Sequence, residues 1–268
     1  MDVFGKDALI GDYRLSDHGL MLATFNFEDT YNLGITMDTS EAFLGKNPVP
    51  VYLGSKFSSK LQPTMTVIQN EPVTKKTFFT VNEVREILSR LTGFQGYKKM
   101  YVLNKEGMYE NFYFMVRTND VDFEKSGDKI VGIRFTMECD SQFAWVNDDY
   151  SFVTENNNDT INLNVISDDK YNYLLPVVTI TSDSALSSLS IFNVTDNNRE
   201  TKIDNISAGE TITINSKRNI ISSTNQRNFS ADFNYKFLRL LSGENELLIS
   251  SPIMINFSMN LPRKVGMF

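Results

Sequence analysis

The chain has 268 residues, 41% hydrophobic and 22% charged, with a formal net charge of -7, the balance of a folded globular protein rather than a disordered one. The acidic excess, with Lys75-Lys76 and Lys98-Lys99 as the longest basic runs, argues against a nucleic-acid partner, which calls for a basic stripe. A single cysteine excludes an internal disulfide and a Cys-based zinc or iron–sulfur site; no apolar run of about 18 residues is long enough to span a membrane, and the first residues show no signal-peptide pattern, so folding in a reducing cytoplasm is expected.

In chain order, the first half reads mostly as strands. Short β-branched and aromatic runs occur at residues 13–27, 64–70, 98–104, 111–123 and 129–139, divided by Gly, Asn, Asp and Pro. One helix interrupts them. Thr80 and Glu83 form a T-x-x-E capping box, Val84, Ile87, Leu88 and Leu91 make one apolar stripe at helical spacing, and Gly93 is placed to stop it. The last strand, residues 129–139, alternates strictly: Ile133, Phe135, Met137 and Cys139 face one way, Arg134, Thr136 and Glu138 the other. Residues 146–160 are Asn- and Asp-rich and read as a linker or an exposed first connection. Beyond them, runs at 161–167, 174–182, 189–195, 210–216, 219–224, 237–251 and 254–262 are spaced as the strands of a β-sandwich, with no helix. The fold class expected is mainly β, an N-terminal α+β domain with one amphipathic helix over residues 1–147 and a β-sandwich over 148–268.

The residues offer little chemistry. His18 is the only histidine, which removes HExxH and two-His metal sites, and its neighbours Ser16 and Asp17 do not make a triad by adjacency alone. Cys139 lies between Glu138 and Asp140, but its alternation partners are apolar, so a buried structural thiol with solvated flanking carboxylates is expected. No phosphate-loop spacing occurs at Leu53–Lys60 or Gly93–Gly96, and neither Asp148-Asp149 nor Asp168-Asp169 sits in a calcium-loop pattern. The sequons at Asn158, Asn193, Asn205, Asn228 and Asn256 are read as a by-product of Asn-rich turns. The expectation is no catalytic, metal or cofactor site, and no enzyme.

The ordered landmarks Asn82–Val102, Met108–Phe123 and Ile130–Trp145 resemble the N-terminal domain of siphophage distal tail proteins. In that family an acidic-Cys-Asp-Ser run is often followed by Pro, an aromatic, Ala and Trp; Gln142 stands here where Pro is common, with Phe143, Ala144 and Trp145 in step. The second half is similar to the family's galectin-like domain, where a Gly-x-Asn turn (Gly243, Asn245) leads into a closing strand. The resemblance implies a structural virion protein at the distal end of the tail. Its N-terminal, tail-tube-like domains would build a homohexameric ring, and its C-terminal domains would project outward. The ring would join the tail tube to the baseplate and to receptor-binding proteins. Another tail-tube component is the structural alternative. A second alternative, that the C-terminal domain binds host cell-wall glycan, would use Tyr150, Tyr171 and Tyr173 as stacking surfaces.

Overall fold

The computed structural model describes residues 6–27, 37–43, 45, 49–57, 60–103 and 112–264. Residues 108–111 of the family landmark lie outside them. The described residues are mostly antiparallel strands, and they divide into one unit up to Trp145 and another over Val146–Arg263. Each unit closes around its own apolar cluster.

In the first unit the chain forms β1 (Asp7–Ile10), β2 (Tyr13–Arg14), a single 3-10 turn at Ser16–His18, β3 (Leu20–Phe27), β4 (Met37–Ala42), β5 (Val51–Phe57) and β6 (Pro63–Gln69). The helices α1 (Glu71–Thr74) and α2 (Val81–Thr92) follow, then β7 (Lys98–Leu103), β8 (Phe112–Ser126), β9 (Lys129–Cys139) and the start of β10 (Ala144–Val153). One antiparallel sheet runs in the order β3-β6-β9-β8-β7-β1-β2. Strands β4 and β5 pair only with each other, as a ribbon inserted between β3 and β6.

The helix forms as its sequence dictates. The Thr80 hydroxyl accepts from Glu83 N, and Glu83 Oε2 accepts in turn from Thr80 N at 2.7 Å, so the first turn satisfies its own free amides. Val84, Ile87 and Leu91 are buried in the cluster and Leu88 packs against it. Gly93 ends the helix for reasons of space rather than handedness: its φ is −79°, and a Cβ there would lie 2.5 Å from the Ser89 carbonyl oxygen. Strands β8 and β9 form a long hairpin whose two-residue loop opens on Gly127 at φ +65°, a conformation that glycine takes at no steric cost. A bulge between Thr118 and Asp120 leaves Asn119 without a cross-strand partner.

The second unit contains most of β10, then β11 (Asp159–Val165), β12 (Val177–Thr181), β13 (Leu186–Asn193), β14 (Arg199–Ile206), β15 (Thr211–Asn215), β16 (Ile220–Ser223), β17 (Gly243–Ile249) and β18 (Met254–Arg263). One sheet runs β16-β15-β12-β18-β10 and the other β11-β17-β13-β14, with one apolar cluster between them. Residues 146–153 are therefore strand and not linker. Their outward positions are Asn147, Asp149, Ser151 and the exposed Val153, while Tyr150 and Phe152 pack against the cluster, and that alternation was hidden in an Asn- and Asp-rich composition. The expected strand over 237–251 begins only at Gly243. Before it, Leu238 and Leu240 are buried in irregular chain held by a single bridge to Leu174.

Strand β14 was not expected from the sequence. Its inward residues are Thr201 and Ile203, between the charged Glu200, Lys202 and Asp204, and Ile206 at its end. Its outer edge is covered by the chain between β16 and β17, where Asp204 N donates to Asp232 O at 2.7 Å and Asn234 N to Lys202 O at 3.1 Å. Among the described residues no helix is long and apolar enough to cross a membrane.

Candidate functional site

Strand β9 separates the environments of two adjacent residues. On the inner face Ile133, Phe135, Met137 and Cys139 are buried. Desolvation pushes the Cys139 thiol well above the ordinary range, and the charges of Asp140 and Glu138 add to the shift, so it stays protonated as a small hydrophobe.

On the outer face Glu138 is not simply solvated, as expected, but the centre of a polar cluster. Its carboxylate accepts from Lys60 Nζ and Tyr97 Oη, each at 2.8 Å, from Asn119 Nδ2 at 3.2 Å and from Arg117 Nη2 at 3.3 Å. Lys60 and Arg117 also lie 5.5 and 5.6 Å from the Tyr97 ring centroid. Lys60, then Asn119 and Tyr97, hold the Glu138 carboxyl at about 2. The bulge in β8 is what aims Asn119 at this carboxylate, and Thr118 beside it donates to Leu91 O at 2.8 Å, tying the end of α2 to the strand. The cluster joins four separate stretches of chain, and its carboxylate is fully engaged by their donors. Chemically it is a clamp.

The strand ends in a turn built by Ser141, whose hydroxyl accepts from Phe143 N at 3.2 Å, with Gln142 half-buried between them. Asp140 accepts from Trp145 Nε1 at 3.1 Å, so the lone tryptophan is anchored to the same corner.

Two further features of this unit are not clamped. The β4–β5 ribbon has no other element packed along it among the described residues, yet Val51, Tyr52 and Leu53 on it and Phe43 beside it are exposed. A cavity of about 210 Å³ lies between the 3-10 turn, the end of β6 and α2. His18, expected as a surface or turn residue, is in that turn and stacks on Tyr13, with ring centroids 4.1 Å apart.

A family profile described as phage tail protein N-terminal domain matches residues 4–141, and one described as phage tail C-terminal domain matches residues 143–259. The chain belongs to this family of phage tail proteins. Comparison with curated protein sequences gives no match. Among solved structures, the Dit protein (gp 19.1) of phage SPP1, described as a hub of the adsorption apparatus in phages infecting Gram-positive bacteria, superposes with a TM-score of 0.68. The match covers 95% of this chain and 98% of that one at 8% identity, and so is a likeness of fold. Two structures of the phage p2 baseplate in its activated conformation, with Ca and with Sr, give TM-scores of 0.47 and 0.46 at 10% identity, covering 94% of this chain and 93% of theirs.

In the tail protein's second unit, the three tyrosines considered for stacking are not equivalent. Tyr150 is half-buried against the core and donates to Asp148 Oδ2 at 2.8 Å. Tyr173 lies under Arg239, whose guanidinium carbon is 3.8 Å from the ring centroid and which is held by Asp196 through two hydrogen bonds of 2.6 and 3.0 Å. Only Tyr171 stands free, on a loop where Asp169 accepts from the Tyr171 and Asn172 amides. The three do not form one platform. Among the described residues no group of three or more His, Cys, Asp or Glu is placed to hold a metal ion.

Gly243 and Asn245, expected as a turn before the closing strand, are instead the first residues of β17, paired with Val165 and Leu163 of β11, and the Asn245 side chain faces inward. Asn245 is buried, its Oδ1 accepts from Leu241 N at 2.8 Å, and its Nδ2 donates to Leu241 O at 2.8 Å and Gly243 O at 3.1 Å. Sequence reasoning missed Lys60, Tyr97, Arg117 and Gln69. The only signal for the first three was the outward Glu138, a charge on a strand whose other face is wholly apolar.

Proposed function

We propose that the chain is a distal tail hub subunit. It forms a ring, six-fold by family resemblance, that joins the tail tube to the baseplate and to the host-recognition proteins. The observation that carries this reading is the end-to-end fold likeness to SPP1 Dit, which takes in both domains in order. In it, residues 1–147 build the ring and residues 148–268 form an outward, galectin-like domain. The protein resides in the virion at the distal end of the tail, after synthesis in the host cytoplasm. Its work is structural, with no catalysis and no cofactor.

The β4–β5 ribbon supports the ring. A two-stranded ribbon is marginal by itself in water, and apolar side chains left open on it are stabilised by a neighbour. A closed ring supplies that neighbour through a heterologous contact, one surface of each subunit on a different surface of the next. Light scattering and negative-stain microscopy of the purified protein test the proposal. The expected result is a ring of six 30.6 kDa chains. A protein that stays monomeric, and that antibody labelling does not find at the distal tail of virions, overturns it.

A further inference from the structure

We infer that the cavity beside α2 in the first unit is a binding site for a guanidinium or primary ammonium group. The inference is independent of the ring. The cavity, about 210 Å³, is lined by Tyr13, His18 and Gln69 in its depth and by Glu83 and Glu86 on the helix side. This is smaller than the several hundred Å³ of a typical cofactor pocket. It suits a charged head group with a short aliphatic stem.

Three polar groups reach this space with no protein partner among the described residues. Gln69 is only 6% exposed, and its side-chain amide makes no hydrogen bond to the protein among the described residues, so its polar atoms meet only the solvent that enters this space. The ring nitrogens of His18 make none, the ring being held by its stack on Tyr13. Glu86 makes no ion pair. Its neighbour Glu83 is already committed, to Lys76 at 2.7 Å and to the helix cap.

The sign of the ligand follows from these groups. An anion would meet two carboxylates at the helix side. A cation with N–H donors meets the free carboxylate of Glu86, the amide oxygen of Gln69 and the π-faces of a stacked aromatic pair. Burial and then the charge of Glu86 raise the Tyr13 phenol, with the Arg90 cation opposing them, so it remains a neutral ring wall. A guanidinium satisfies both acceptors at once, because its donors are forked and planar.

The head group has two possible sources, a free amine or a basic side chain of another polypeptide. Calorimetric titration of the full-length protein with agmatine, and separately with an acetylated, amidated arginine tripeptide, distinguishes them. Saturable binding of agmatine is expected, with no binding of an uncharged alkyl amide of the same length. Binding of the tripeptide as well assigns the site to a side chain, and binding of agmatine alone assigns it to a small amine. Glu86→Gln, at an exposed helix position, is expected to leave the melting temperature unchanged and to weaken binding about tenfold, the loss of one close charge pair. Gln69→Leu is expected to abolish binding without unfolding the chain. Absence of saturable agmatine binding, or binding unaffected by Glu86→Gln, overturns the inference.

Discussion

Glu138 and Cys139 are neighbours in the chain and opposites in environment, and strand alternation alone separates them. That much was readable from the sequence, because an apolar residue at every second position declares the inner face. What Glu138 meets outside was not readable, since Lys60, Tyr97 and Arg117 come from three distant stretches brought together by the sheet. The energetic consequence can be measured. The folded Glu138 carboxyl is held at about 2, against an ordinary value of 4.5, so its contribution is complete above about pH 4.5 and is lost as pH falls toward 2. Glu138→Gln is expected to cost about 1 kcal/mol at neutral pH, the upper range for an ion pair screened by water, and to cost little near pH 2. Urea unfolding of both forms at the two pH values checks this. A gap that persists in acid would assign the loss to shape rather than charge.

At the scale of elements, the helix was the most legible part because every local signal agreed. Cap, stripe and stop are all within 14 residues of sequence, Thr80 to Gly93, and each is found in place. Thr80→Ala removes the hydroxyl that caps Glu83 N while leaving the Thr80 N to Glu83 bond possible, so a loss of about 1 kcal/mol is expected. Hydrogen exchange should quicken in the first turn of α2 and not in its last, where Thr118 still holds Leu91 O. Uniform quickening along the helix would count against a local cap. Strands β10 and β14 were harder to see. Each has polar or charged residues on its outer face, and the inward residues that fix it are few: Thr201, Ile203 and Ile206 in β14, Tyr150 and Phe152 in β10. Composition averages the two faces of a strand, whereas burial selects one.

At the scale of the whole molecule, the two apolar clusters share no residue, and the change of composition after Trp145 marks where the first gives way to the second. The β4–β5 ribbon escaped the sequence reading for a related reason. A strand that packs on its own core carries that core's period, and residues 37–42 and 51–57 belong to neither apolar cluster of the described residues, so neither cluster imposes a period on them. This argues that their selection acts from outside the chain. Tyr52 and Leu53 are 59% and 65% exposed, so most of the surface lost on replacing both with Ser faces solvent and not the chain's own core. The double variant is therefore expected to melt at the wild-type temperature in its monomeric state while its assembled mass falls from the ring to the single chain. Light scattering across a concentration series, paired with thermal unfolding of the dilute protein, reads both quantities. An unchanged ring would place the ribbon outside the subunit contact. A lowered monomer melting temperature would show that these side chains pack within the chain after all.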